Sequence, residues 1–279
     1  MKRYGMHMNR RIGETFRELS ARGAKAFIPF IMAGDPDLET TIRLVLELER
    51  SGSNIIELGI PFSDPIADGP TIQRAGARAL GHRYGMLDYL KAVEAIRRRS
   101  DVPLLLFSYY NPIYRYGLEV FARDARSAGV DGVLVTDMTP EEGEQYCTCL
   151  ERNELDPVFL AAPTSSEERM AQIAACSRGF LYVVSRAGVT GARQELSDTV
   201  LPTVERVRKH TALPIAVGFG ISHPDQVQAV WRVCDGAVVG SAIVAATENV
   251  KDPEQLLRKV GALCRWLTGA AFDPSWDFR

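Results

Sequence analysis

Residues 39–60 read ETTIRLVLELERSGSNIIELGI, and this stretch holds one complete helix-then-strand unit. From Glu39 to Ser51 the apolar residues recur at three- and four-residue spacing, the period of one helix face. Ser51-Gly52 is a stop signal, because glycine readily takes the left-handed conformation that ends helices. Asn54–Ile60 then forms a short apolar run, as expected of a parallel strand buried on both faces. The same unit recurs along the chain. Its apolar runs are Ala26–Ile31, Asn54–Ile60, Pro103–Tyr109, Gly132–Thr136, Pro157–Ala161, Phe180–Val184, Pro214–Val217 and Gly236–Val239. Helical patterns such as Leu87–Arg99 and Glu141–Arg152 lie between them, and Ala128-Gly129 repeats the stop signal.

Eight strands alternating with about eight helices in 279 residues match an α/β protein built as a (β/α)8, or TIM, barrel. A doubly wound open sheet competes with this reading. Its first strand-to-helix turn would normally carry a glycine fingerprint, whereas here that turn is Met32-Ala33-Gly34-Asp35-Pro36. An extra N-terminal helix over Asn9–Arg22 precedes the first strand and is expected to cap the barrel bottom. The expected organisation is a single barrel domain over residues 1–268, followed by a tail, 269–279, whose role the sequence leaves open.

Composition removes several function classes. The chain is 46% hydrophobic and 24% charged, enough to bury a large core. Its 33 Lys+Arg against 35 Asp+Glu leave a net charge of −2, without the basic excess of a nucleic-acid binder. No apolar stretch approaches the roughly 18–20 residues of a membrane span, and the basic N-terminus lacks the apolar core of a secretory signal. The five cysteines are odd in number and scattered, and the four histidines never form a ligand pair. Reduced thiols, no metal and a cytoplasmic location are therefore expected.

Active sites of barrel enzymes sit at the C-terminal ends of the strands. In the second strand, alternation puts Ile55, Glu57 and Gly59 on one face and Ile56, Leu58 and Ile60 on the other. If the first set faces inward, Glu57 projects into the mouth with Gly59 leaving room above it. A carboxylate among apolar neighbours has a raised pKa, which suits a general acid or base. A purely structural acid bonded to barrel backbone is the alternative. Asp64 and Asp68 follow on a proline-bounded loop, where Asp before Pro or Gly is also ordinary turn chemistry.

Gly218-Phe219-Gly220 after the seventh run and Gly240-Ser241 after the eighth lead into helices, with Ser222 expected as cap and Pro224 in the first turn. Glycines at helix N-termini let a phosphate approach the backbone, and this fold often binds phosphate after strands 7 and 8. Residues 185–192, SRAGVTGA, follow the sixth run and suit a lid, although a plain flexible connection has the same composition. None of the six lysines lies at the C-terminal end of an apolar run, so a Schiff-base mechanism lacks a nucleophile. Metal-free acid–base chemistry on a phosphorylated substrate remains.

The segments PFIMAGDP, ELGIPFSDPIADGPTIQ, YYNPI, LVTDMTPEE, SRAGVTG, GFGIS and GSAIV occur in that order between Phe27 and Ala245. With them the chain closely resembles the tryptophan synthase α subunit family. The resemblance implies retro-aldol cleavage of indole-3-glycerol phosphate to indole and glyceraldehyde 3-phosphate, without a cofactor in this chain. It implies that Glu57 is the acid–base group and that Asp68 interacts with the indole N–H. Tyr182 matches a tyrosine beside that glutamate, and Arg186 and Thr190 belong to the lid. Phe30, Ile72 and Tyr109 match indole-pocket positions, where plain mouth packing would use the same residues. Gly191, Gly218, Gly220, Gly240 and Ser241 match the phosphate cradle.

The resemblance further implies a β subunit carrying pyridoxal phosphate, joined in an αββα tetramer, with Pro61, Asp64 and Asn111 on the loops that face it. Thr139 departs from the family, which commonly has a second proline there. A stand-alone indole-3-glycerol phosphate lyase is the alternative implied by the same motifs. A non-catalytic phosphate-binding barrel or another phosphosugar lyase or isomerase would share only the fold.

Overall fold

A computed structural model describes residues 10–184, 196–218 and 220–270. Strands β1 (Ala26–Met32), β2 (Ile56–Gly59), β3 (Leu104–Ser108), β4 (Gly132–Val135) and β5 (Asp156–Val158) pair in parallel, each with the next. Strands β6 (Leu160–Ala161), β7 (Leu181–Val184), β8 (Ile215–Gly218) and β9 (Gly236–Val239) do the same, and β9 pairs back onto β1. The two halves meet at Phe159. The chain pairs with β4 before that residue and with β7 after it, so β5 and β6 are the two parts of one fifth barrel strand. The expected eight strands and the nine recorded segments are thus the same barrel. The sixth, seventh and eighth apolar runs are β7, β8 and β9.

The helices start and stop as local chemistry dictates. In α2 (Leu38–Arg50) the Asp37 carboxylate accepts from Thr40 N at 2.7 Å. In α12 (Pro253–Thr268) the Asp252 carboxylate accepts from Glu254 N and Gln255 N, the N-cap arrangement. The helix before β3 is α4 (Met86–Arg97), and the one before β5 is α7 (Glu144–Arg152). Helices outnumber the expected eight because the C-terminal face carries extra ones. These are α3 (Pro70–Leu80) after β2, α5 (Tyr110–Tyr116) after β3 and α11 (Ser241–Thr247) after β9. Asn111 accordingly sits in the first turn of α5 rather than on an open loop. In α10 (Pro224–Val233) the cap is His223, not Ser222. The His223 ring accepts from Asp225 N at 3.3 Å, while Gln226 Oε1 accepts from the backbone N–H of Ser222 and His223.

Apolar side chains divide into an annulus between strands and helices and a separate barrel interior. The interior contains Ile28, Ile55, Leu105, Leu134, Val158, Phe180 and Val238, joined from below by Ile12, Phe16 and Leu19 of α1 (Arg11–Ala21). The N-terminal helix therefore plugs the barrel bottom, as expected. Two buried carboxylates fasten it: Asp131 accepts from Arg11 at 2.9 Å, and Asp156 from Arg10 at 2.5 Å. The C-terminal end of the barrel is left for chemistry. The tail residues 271–279 lie outside the described residues, and no described helix is long and apolar enough to cross a membrane.

Candidate active site

Glu57 lies in the middle of β2, level with Phe30 on one side and Leu105 on the other. Its face partner Ile55 belongs to the barrel interior, while Ile56, Leu58 and Ile60 belong to the outer annulus. The inward placement expected from alternation is what β2 adopts. Glu57 is 1% exposed, and its Oε1 makes no hydrogen bond among the described residues. Loss of solvent without a compensating partner disfavours the ionised form, and burial pushes the carboxyl up from 4.5 to about 8. Above it, a side chain on Gly59 would place Cβ 2.4 Å from Phe30 Cζ. Glycine is therefore required for the Phe30 ring to lie across the mouth.

Tyr182, on β7, is buried beside Glu57; burial first and the nearby carboxylate second hold its phenol well above the usual range. A Cβ on Gly218 would lie 2.1 Å from Tyr182 Oη. The absent side chain at Gly218 thus makes room for this tyrosine, a use that sequence spacing did not suggest. Gly220, at φ +61°, and Gly240, before Ser241 and α11, have no such crowding and expose backbone at the rim.

Asp68 is half-buried on the β2–α3 loop, and burial pushes its carboxyl up to about 6 against a lowering hydrogen bond from Tyr109. Tyr109 is buried at the end of β3 and accepts from Ala67 N through its hydroxyl at 2.9 Å. Gln73 of α3 donates to Asp68 O at 2.9 Å and Pro65 O at 3.4 Å, closing the loop on its own helix. The two acids differ as their settings demand: one in a dry barrel, one on a partly solvated loop beside a phenol.

Of the expected pocket residues, Phe30 and Ile72 lie together, Tyr182 belongs to the barrel-interior cluster, and Tyr109 lies beside the Asp68 loop. Phe30 and Ile72 share one apolar cluster with Met32, Ala75, Ala79 and Val244. Phe107 packs edge-on to Phe30 at 5.3 Å between ring centres and completes the mouth, although it was not among the expected pocket residues. The inward alternation of Leu105 and Phe107 on β3 was the available signal. Asp64 is exposed and accepts from Ser63 Oγ at 2.7 Å, an ordinary turn contact. Pro61 is buried at the same rim, and Asn111 is exposed on α5. Arg186, Thr190 and Gly191, the residues expected in a lid and in the phosphate cradle, lie outside the described residues. Among the described residues, no three His, Cys, Asp or Glu side chains cluster as metal ligands.

A family profile described as tryptophan synthase alpha chain matches residues 16–271. The tryptophan synthase alpha chain of Geotalea uraniireducens is 51% identical over 244 residues, 88% of this chain and 91% of the relative. That of Pelobacter propionicus is 49% identical over 264 residues, 94% and 99% respectively. Among solved structures, tryptophan synthase subunit alpha from Legionella pneumophila superposes with a TM-score of 0.85 at 38% identity, covering 93% of this chain and 97% of the other. A chain of the tryptophan synthase α2β2 complex from Pyrococcus furiosus gives 0.83 at 37% identity, covering 88% and 98%.

Proposed function

This chain belongs to the tryptophan synthase alpha chain family, and from that premise we propose how its residues work. The chain is a lyase that cleaves indole-3-glycerol phosphate to indole and glyceraldehyde 3-phosphate, the indole passing to a β subunit for tryptophan synthesis. In our reading Glu57 and Asp68 divide the acid–base work, with no metal or cofactor in this chain. Indole is a poor leaving carbanion until its C3 is protonated, so an acid must act before the carbon–carbon bond breaks. Glu57, raised to about 8, still holds its proton at neutral pH and gives it to C3. Asp68, raised only to about 6, is ionised there and steadies the N–H of the indolenine-like cation. Glu57 then takes the proton of the C3′ hydroxyl. The oxygen lone pair forms the aldehyde, the C3–C3′ bond breaks, and its electrons return to the ring. One proton is given and one recovered, which leaves Glu57 as it began.

The observation that carries this reading is the contrast in setting between Glu57, buried on the inner face of β2 with its Oε1 unbonded among the described residues, and Asp68, half-buried on the loop that follows, an arrangement that separates acid from base. Tyr182 lies near the glutamate, and Phe30, Ile72, Tyr109 and Phe107 supply apolar walls for an indole ring. The open backbone at Gly220, Gly240 and Ser241 suits the phosphate, joined by Gly191 and by Arg186 and Thr190 in the lid. For the β subunit, Pro61, Asp64 and Asn111 share the rim with Ile66, 87% exposed, and Tyr114, 68% exposed. Pyridoxal phosphate is assigned to that partner, and the chain to the cytoplasm, where its five free thiols stay reduced.

The test is indole release from indole-3-glycerol phosphate by the purified chain, alone and with a β subunit. Slow release alone that rises steeply with the partner is the expected result. Fast release alone would mark a stand-alone lyase, and no release in either case would overturn the reading.

A further inference from the structure

Between the β1–α2 loop, α3 and the end of α11 lies a charged network that the acid–base mechanism does not use. Asp35 is buried and accepts a fork from Arg78: Nε to Oδ1 at 2.8 Å and Nη2 to Oδ2 at 2.7 Å. Arg78 Nη1 also donates to Glu248 at 3.3 Å. Arg74, one helical turn earlier, forks onto the same glutamate at 2.8 and 3.1 Å. The Thr247 hydroxyl donates to Val244 O at 2.8 Å and lies 3.5 Å from Asp35 Oδ2. A ring nitrogen of His82, just beyond α3, meets Pro36 O and ties the far end of the helix to the same loop.

The apolar face of α3 gives this network its importance. The residues α3 buries are Ile72, Ala75, Gly76 and Ala79. Three of these four have little or no side chain to interlock, so packing alone resists sliding or rotation weakly. Planar two-point contacts from arginine fix orientation as well as distance. The first turn of α3 in turn holds the loop of Asp68, through Gln73 and the short link Gly69-Pro70. We propose that Asp35, Arg74, Arg78 and Glu248 form a positioning brace that sets α3, and through it Asp68, against the barrel mouth for the cleavage reaction. These are positioning residues: none is placed against substrate.

The proposal rests on the reading that Asp68 serves indole release, and its test separates the two. Arg78→Met keeps the side-chain stem and removes the fork. In that variant kcat for indole release is expected to fall ten- to a hundredfold, since a misplacement of about 1 Å far from the chemistry can cost about 10²-fold. KM should change by less than a few-fold, and Arg78→Lys should fall between variant and parent. In an Asp68→Asn background, Arg78→Met should add less than twofold, because residues acting through one group are not additive. A full additional loss there, or an unchanged kcat in the single variant, overturns the brace. Glu248→Gln, a milder change at the rim, gives the same comparison should Arg78→Met fold poorly. Carbon-13 titration of the Asp68 carboxyl provides a readout without turnover. The brace requires that Arg78→Met bring that carboxyl down from about 6 toward its ordinary value, and an unmoved titration refutes it. If the parent chain releases no indole, the functional reading fails while this titration still decides the brace.

Discussion

Replacing Glu57 by Gln should stabilise the chain while removing its chemistry, and the stabilisation should depend on pH. Burial lifts the Glu57 carboxyl from 4.5 to about 8. Between those values the folded chain holds a proton that the unfolded chain has released, so the contribution of Glu57 to stability declines as pH rises through this window. The gap reaches about 2.5 pH units at pH 7, and at 1.36 kcal/mol per unit this amounts to about 3 kcal/mol. Above pH 8 the full gap gives about 5 kcal/mol. Glutamine has the same shape and no charge, so Glu57→Gln removes the pH-dependent part.

For a chain of this size 1 kcal/mol moves Tm by about 2–4 °C. The Tm difference between variant and parent should therefore grow by about 10 °C between pH 5 and pH 8. Thermal unfolding followed by circular dichroism over that range measures it, because other titrations are shared and cancel in the difference. Indole release by the variant should fall by about 10²–10⁴. A Tm difference that stays flat with pH would refute the picture of a desolvated, protonated acid, whatever the activity.

With Asp68 near 6 and Glu57 near 8, kcat/KM should rise through pH 6 as the first ionises and fall through pH 8 as the second loses its proton. Asp68→Asn should remove the acid limb alone, as a pH–rate profile will show. Gly218→Ala would set a carbon 2.1 Å from Tyr182 Oη and 2.7 Å from its Cζ. It should cost at least about tenfold in indole release, and adding Tyr182→Phe should recover only part; a neutral Gly218→Ala would contradict the packing. Arg10→Met leaves the buried Asp156 carboxylate without its ion-pair partner at the barrel bottom. Urea unfolding should register a loss of about 3 kcal/mol, with kcat unchanged.

The features legible in the sequence were those set by local period. Alternation placed Ile55, Glu57 and Gly59 on the inner face of β2, and the stops at Ser51-Gly52 and Ala128-Gly129 separated helix from strand correctly. The departures have local causes too. Gln226 reaches back to two backbone N–H groups and makes His223 the cap of α10, a competition that an Ser-His-Pro string does not reveal. The mouth helices α3 and α5 follow proline- and tyrosine-rich segments that read as loops by composition. What sequence spacing could not reach were contacts between distant residues of no special type. The fit of Tyr182 over Gly218 joins residues 36 positions apart by number, and the fork of Arg78 on Asp35 spans 43. Neither leaves a periodic trace.

The plug of the barrel is made first and seated late. Helix α1 carries Ile12, Phe16 and Leu19 toward a chamber whose walls do not yet exist when the helix leaves the ribosome. The carboxylate that holds Arg10 lies 146 residues downstream, and the Phe180 ring that meets Phe16 is later still. At about 5–20 residues per second the wait for Asp156 alone is about 7–30 s. During it the apolar stripe of α1 is unseated, and Arg10 lacks the carboxylate that holds it. A nascent chain arrested before Asp156 should expose α1 to a protease that cannot reach it in the finished protein.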